Sequence, residues 1–204
     1  CSEEFLELSP QQSVGDTQAL VAFGDFESSI SAVYSGIGSA SYYGRYFMLV
    51  PDVMSDDVKQ HPSANRAATY AEYVATNEDG IANGLWTECY QNINNLNTIL
   101  ATDIEVTAAL QDDLTHIKGE AMALRGLIYF DLVRMFGQHY TFTADASHLG
   151  VPIVTVSDPF AEPSRSTVKQ VYDQVISDMT TGMGMMQNNP RSGSTSTISR
   201  TAVE

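Results

Sequence analysis

The chain has 204 residues, of which 43% are hydrophobic, and its formal net charge is −15. This length and apolar content are enough for one sizeable packed domain and exclude disorder throughout. Its 25 acidic side chains outnumber 10 scattered basic ones, so its surface repels nucleic acid and anionic lipid, and neutral ligands or a protein partner fit better. No apolar run approaches the roughly 18 residues that span a bilayer, so any membrane attachment is expected to be covalent.

The cysteines bear on that attachment, because one of the two is residue 1. A chain that begins with cysteine resembles a mature product whose leader has been removed, which makes Cys1 a candidate lipidation site. An arbitrary start of the numbering and a Cys1–Cys89 disulfide are the alternatives. Cys89 lies on a periodic apolar segment and is expected to be a small buried hydrophobe. Residues 1–16 mix acids, Ser, Gln and Pro with little periodicity and are predicted to form an extended tether.

A first helix and a long irregular region follow the tether. Apolar residues at steps of three and four predict a helix that starts near Thr17 and ends near Gly38. The stretch 39–84 is rich in Tyr, Ser, Asp, Asn and Gly, and short helices are predicted at most over 43–49 and 66–73. Long irregular stretches in compact domains are typical of functional or mobile segments.

Two stronger helices are predicted next. The first covers about 85–100, with its asparagines mostly off the apolar face. The second is the longest and covers about 107–136, with Gly137 as its stop signal. His116 falls among polar residues of this second helix, so we expect a solvated surface side chain there.

A fourth long helix is predicted after an extended segment at Pro152. It begins at Ser166 or Thr167, where Thr167 and Gln170 match a capping box. A loop follows over 188–197, and the residues after it begin a further helix. Consecutive helix pairs of this kind are typical of helical repeats. The predicted fold class is therefore all-α, mostly helical, with tetratricopeptide-like helical hairpins and long irregular loops.

The sequence lacks the usual catalytic motifs. It contains no Gly-rich phosphate loop, no Gly-x-Ser-x-Gly elbow, no His-Glu-x-x-His and no Cys-x-x-Cys. The four histidines lack metal-ligand spacing, and the acids Asp52, Asp56 and Asp57 lack the central glycine of a calcium loop. We therefore predict a protein that is not an enzyme and that uses neither a cofactor nor a metal.

Aromatic residues are the best candidates for a ligand site. Trp86, the only tryptophan, is predicted to open the second helix, where its indole either stacks on a sugar ring or anchors the chain. The irregular region groups aromatic, Arg and Asn side chains, a composition typical of a carbohydrate or peptide cleft. This group consists of Tyr42, Tyr43, Tyr46, Tyr70 and Tyr73, with Arg45, Arg66, Asn77 and Asn83. The predicted ligand-binding residues are Trp86, Tyr70, Tyr73, Arg66 and Asn83.

One segment carries a family resemblance. Residues 119–137, GEAMALRGLIYFDLVRMFG, closely resemble the signature helix of the SusD/RagB family of outer-membrane nutrient-binding lipoproteins, with its Gly-Glu-Ala, Leu-Arg, Tyr-Phe-x-Leu and closing Phe-Gly. Other positions fit neighbouring family elements, namely Trp86, Tyr90, Ile93 and Asn97, then Gly150-Val151-Pro152, Arg165-Ser166-Thr167-Val168 and Ser199-Arg200. The start of the chain, with Cys1, Phe5-Leu6 and Pro10, is similar to the lipidated N-terminus of the family.

This resemblance implies a function and a location. It implies a lipoprotein anchored through Cys1 at the surface of the outer membrane of a Bacteroidetes-type Gram-negative bacterium. Such a protein binds an oligosaccharide and delivers it to a SusC-type TonB-dependent transporter. A peptide-binding member of the family and a helical-repeat adaptor without a ligand are the alternatives. Because family members are longer than this chain, residues 17–204 are expected to form the helical domain of the family without its C-terminal part. Glu120 and Arg125 are expected to pair with neighbouring helices, and Arg125 is not expected to bind ligand.

Overall fold

The computed structural model describes residues 20–55, 57–59, 61, 63, 66–158, 160–193 and 195–204. The predicted lipid attachment at Cys1, the alternative disulfide to that residue and the predicted tether over 1–16 lie outside the described residues. Cys89 is 1% exposed and its thiol is free, which confirms its expected place in the apolar core.

Helices make up the regular structure of the described residues. They are α1 (Phe23–Ile37), α2 (Tyr46–Met54), α3 (Ala68–Ala71), α4 (Gly80–Ala101), α5 (Ala108–Phe136), α6 (Val168–Met185) and α7 (Arg200–Val203). Single 3₁₀ turns cover Tyr140–Phe142 and Arg191–Gly193, and a β-bridge joins Leu149 to Thr167. This architecture confirms the predicted all-α fold class. No described helix combines the length and the hydropathy that crossing a bilayer requires.

The long helix α5 lies at the centre of the fold and packs against α6, α4 and α1. Trp86 lies beside Phe136 and Asn97 beside Arg125, so α4 runs antiparallel to α5. Apolar residues of α5 from Leu114 to Leu132 recur at steps of three and four and are buried in the core, together with residues of α1, α4 and α6. Fully buried members include Phe26, Ile30, Ile93, Leu96, Ile117, Leu124, Ile128 and Leu132.

Capping groups fix where two of the long helices begin. Thr167 and Gln170 form the predicted capping box: the Thr167 hydroxyl accepts from the Gln170 N–H at 3.2 Å, and the Gln170 side chain accepts from the Thr167 N–H at 2.9 Å. Helix α4 begins at Gly80, five residues before the predicted start, because Asp79 Oδ1 accepts from the N–H groups of its first turn. The prediction that Trp86 opens this helix is therefore wrong: the residue lies in the second turn.

Helices α5 and α6 approach closely at a pair of glycines. A Cβ added to Gly182 would lie 2.6 Å from the Gly119 carbonyl oxygen, whereas one added to Gly184 meets nothing within 4 Å. We expect Gly182→Ala to lower the free energy of unfolding by about 1–3 kcal/mol, because the backbones must separate. Gly184→Ala, the matched control, is expected to raise it by up to about 1 kcal/mol through helix propensity. Urea unfolding measures both changes, and equal effects would contradict the close packing.

Some polar side chains that were predicted to lie on the surface or off the apolar face are buried. His116 is 1% exposed, and its Nδ1 accepts from the Gln187 N–H at 3.0 Å. Asn92 and Asn97 are also buried, and Asn97 donates to the Val154 carbonyl at 3.0 Å. The surface prediction for His116 was wrong, because the partner of its Nδ1 is the backbone of a distant segment. Asn97 likewise bonds to a distant carbonyl, whereas Asn92 donates to the Glu88 carbonyl one turn earlier on α4.

Two charged residues of α5 hold neighbouring segments. The Arg125 guanidinium donates to both Asp178 oxygens, at 2.7 and 2.8 Å, from α5 to α6. Glu120 accepts from the Tyr34 hydroxyl of α1 at 2.6 Å and from Arg191 Nε at 2.9 Å. These contacts confirm the expected pairing of Glu120 and Arg125 with neighbouring elements.

Candidate functional site

A cleft of about 460 Å³ opens where α2, α3 and the start of α4 meet the end of α5. Its walls are mostly apolar, and its polar groups are neutral hydroxyls and amides. It is lined by Tyr46, Val50, Tyr70, Ala75, Thr76, Asn77, Ile81, Ala82, Asn83, Leu85, Trp86, Met135 and Phe136. Mostly apolar walls with a few placed polar groups are typical of small-molecule sites. Within the described part of the chain, no three His, Cys, Asp or Glu residues are grouped as a metal site requires.

The structure brings together three of the five predicted ligand-binding residues. Trp86, Tyr70 and Asn83 line the cleft, whereas Tyr73 and Arg66 are not among its lining residues. The Tyr73 side chain is 62% exposed, and its hydroxyl donates to the carbonyl of Met54. The part that these residues take in ligand binding stays a prediction.

Two aromatic neighbours hold the Trp86 side chain in place. Its ring centroid lies 4.8 Å from that of Tyr90 and 5.1 Å from that of Phe136, against which it packs edge-on at 87°. The indole remains half-buried and borders the cleft. An aromatic face with a fixed orientation is thus available at the rim of the cleft.

An open depression of about 590 Å³ lies on the other side of Trp86. Thr87, Tyr90, Gln91, Asn94 and Asn95 complete its lining. Sequence reasoning did not select these residues as a site. Their spacing of three and four along α4 is the signal that could have found them, because it places them on one helix face beside the tryptophan.

Two aspartates hold the segments around the cleft, and the first of them, Asp79, fastens its walls. Asp79 accepts from the Tyr70 hydroxyl at 2.7 Å and from the Thr69 hydroxyl at 3.1 Å, which ties α3 to the start of α4. Desolvation opposes ionisation of this carboxyl, but hydrogen bonds from Tyr70 and the backbone outweigh it and hold the pKa of Asp79 below its ordinary value. The cleft therefore has a charged residue behind the wall rather than inside it.

The second aspartate, Asp131 of α5, holds the segment before α2. Its Oδ2 accepts from the hydroxyls of Tyr42 and Tyr43 at 2.5 and 2.9 Å. Neither tyrosine lines the cleft, so their predicted grouping with the cleft residues was wrong for these two. Burial raises the pKa of the Asp131 carboxyl above its ordinary value, although the two hydroxyls and Arg134 act in the opposite direction.

The raised pKa of Asp131 predicts a pH dependence of stability. The folded protein holds this proton more tightly than the unfolded chain, so the contribution of Asp131 is most favourable below the ordinary pKa near 3.8 and is lost as the pH rises through the raised value. Asp131→Asn keeps an acceptor for both tyrosines and removes the charge. In urea unfolding from pH 4 to 7, the free energy of unfolding of the variant should therefore increase relative to that of the wild type as the pH rises. A difference that is constant with pH would contradict this prediction.

Known proteins resemble the chain in sequence and in fold. The family profile of SusD-like proteins, described as starch-binding and associating with the outer membrane, matches residues 4–204. A SusD superfamily protein from Bacteroides thetaiotaomicron is 30% identical, with a TM-score of 0.75 over 90% of this chain and 40% of its own. A SusD-like carbohydrate-binding protein from Bacteroides vulgatus is 26% identical, with a TM-score of 0.76 over the same shares.

A laminarin-binding SusD-like protein has the same fold, with a TM-score of 0.72 at 20% identity over 90% of this chain and 38% of its own. At that identity the likeness concerns the fold alone. This chain spans 41% and 40% of the first two solved relatives that it matches. No curated protein matches it.

Proposed function

The chain belongs to the SusD-like family of starch-binding proteins that associate with the outer membrane, and from this premise we propose that it binds an oligosaccharide nutrient at the cleft beside Trp86 without converting it. The observation that carries the proposal is the position of the Trp86 indole, between an apolar cleft and an amide-lined face. The C–H face of a sugar ring packs on an aromatic plane. Its hydroxyls need neutral donors and acceptors, which amides and phenols supply.

The chemistry of the lining residues supports binding rather than turnover. Glycoside hydrolysis uses two carboxyl groups that flank the scissile bond. The described cleft lining instead offers the phenols of Tyr46 and Tyr70, the Thr76 hydroxyl and the amides of Asn77 and Asn83. These groups orient a ligand through hydrogen bonds and leave its bonds intact.

The proposal extends to the whole protein. We infer that lipid on Cys1 anchors the chain at the cell surface, that residues 2–16 form the tether, and that 17–204 form a helical domain. We also infer that the bound glycan passes to a SusC-type TonB-dependent transporter. Family membership supports the inferred anchor and the inferred transporter partnership. Co-purification from outer membranes tests the partnership. Recovery of the protein without a TonB-dependent transporter would contradict the partnership.

Calorimetry with a panel of ligands tests the binding function. The panel contains neutral α- and β-glucan oligomers, uronate-containing oligomers and short peptides, each titrated into the purified protein. Saturable binding of a glycan that chromatography then recovers uncleaved is the expected result. Binding of peptides alone would replace the proposal by the peptide-binding alternative. Cleavage of the bound glycan would overturn the non-enzymatic part.

A further inference from the structure

Arg45 packs against Tyr46, one of the aromatic walls of the cleft. It directly precedes Tyr46, which lines the cleft. The Arg45 Cζ lies 5.0 Å from the centroid of the Tyr46 ring, and Nη1 lies 3.5 Å from the Tyr46 hydroxyl oxygen. That distance is at the outer limit of a hydrogen bond, so the contact is mainly one of a cation over an aromatic face. The guanidinium thus packs against a ring that lines the cleft, and it forms no other hydrogen bond with the described residues.

Arg45 is half-buried, and it differs from most basic residues of the described chain in its partners. Six other basic side chains pair with a carboxylate, namely Lys118, Arg125, Arg134, Lys169, Arg191 and Arg200, and Arg165 donates to the backbone carbonyls of Leu149 and Gly150. No described carboxylate lies within ion-pair distance of Arg45. Arg45 is therefore a half-buried cation beside the cleft that has no ion pair with the described carboxylates.

Because guanidinium donors form a rigid fork, they match two acceptor oxygens held side by side. We propose that Arg45 is a specificity-determining residue of the cleft, which binds a pair of oxygens on a sugar ring, either the carboxylate of a uronic acid or two neighbouring hydroxyls. The inference rests on the proposed glycan-binding function and adds to it a residue outside the cleft lining. Stacking on Tyr46 holds the guanidinium in place before the ligand arrives, which lowers the entropy cost of binding.

The net charge of −15 does not prevent a carboxylate from binding at this position. Salt at physiological strength screens exposed charges beyond about 8 Å, so groups close to the cleft decide the local potential. The carboxylate of Asp79, which ties α3 to the start of α4, lies behind the wall of the cleft. Its oxygens already accept hydrogen bonds from Tyr70, from Thr69 and from the first turn of α4.

Replacement of Arg45 by glutamine and by lysine tests the inference. Binding is measured through the fluorescence of Trp86 with two hexamers, one of galacturonic acid and one of glucose, at low and high salt. Arg45→Gln is expected to weaken binding of the recognised hexamer about tenfold or more, the usual effect of losing a hydrogen-bonded charge. For the galacturonate hexamer, Arg45→Lys recovers part of the affinity and salt weakens binding. For the glucose hexamer, lysine recovers little and salt has little effect.

Lys118→Gln is the matched control for loss of one positive charge. Lys118 pairs with Asp103 and precedes the cleft residue Met135 by 17 positions on α5, or about 26 Å along the helix, so affinity should not change. Unchanged affinity of Arg45→Gln for a hexamer that the wild type binds would overturn the inference and leave the proposed function intact. If no oligosaccharide in the panel binds the wild type, the proposed function fails and this inference fails with it.

Discussion

Replacing Arg125 by methionine is expected to lower the free energy of unfolding by about 3–5 kcal/mol. Asp178, the ion-pair partner, is 3% exposed, and the variant leaves its carboxylate with Gln174 as a donor at 2.9 Å. The change also removes the bond from Arg125 Nη1 to Asn97 at 2.8 Å, so α4, α5 and α6 lose a common contact. A drop in melting temperature of roughly 10 °C should accompany the loss in a domain of this size.

Two further variants separate the effect of the buried charge on stability from the effect of lost packing. Arg125→Met combined with Asp178→Leu removes both charges and should recover most of the lost stability, because no buried ion then remains unpaired. Lys169→Met breaks the exposed pair with Asp173 and should leave the free energy of unfolding nearly unchanged. Urea unfolding at pH 7 measures all of these changes. If the double replacement is as unstable as Arg125→Met alone, the explanation by an unpaired Asp178 is wrong.

Trp86→Ala should produce the largest loss of ligand binding among cleft variants. Buried or half-buried tryptophans at binding sites commonly contribute about 2–4 kcal/mol, so affinity for a bound glycan should fall at least about 30-fold. Trp86→Phe keeps an aromatic face and should retain part of the affinity. Calorimetry is the suitable measurement, because the variants lack the fluorescent indole.

A stability control is needed, since Trp86 also packs against Tyr90 and Phe136. Tyr172→Ala removes another half-buried aromatic ring, one that packs on Phe130 and Tyr140 outside the cleft. It should cost comparable stability and leave glycan affinity unchanged. If Trp86→Ala and Tyr172→Ala lose affinity equally, general destabilisation explains both losses. That result would contradict a specific role of the indole.

The long helices could be predicted from the sequence because their signals are local. A period of three and four places the core stripe of α5, and the capping box of Thr167 and Gln170 sets the start of α6. The early start of α4 was missed because Gly80 and Asn83 are poor helix formers. In the folded chain, the cap by Asp79 and packing against the end of α5 stabilise the first turns of α4.

The candidate site could be predicted only in part. Trp86, Tyr70 and Asn83 come together because α3 folds back on the first turns of α4, and the sequence interval between them is short. Tyr42 and Tyr43 are the same residue type as the cleft tyrosines, but their hydroxyls bind a carboxylate from a helix 88 or 89 positions away, and Tyr42 is buried there. The same long-range effect buries His116, whose partner is the backbone of Gln187. Composition alone carries no information about such distant partners.

The indole N–H resonance of Trp86 gives the most direct test of glycan binding at the cleft. Since the chain has one tryptophan, the nitrogen-15 spectrum contains a single signal of this type. Titration with a glycan that binds by calorimetry should shift this signal saturably, with the same dissociation constant. Saturable calorimetric binding of the glycan with an unmoved Trp86 signal would contradict the proposal that the ligand lies at this cleft.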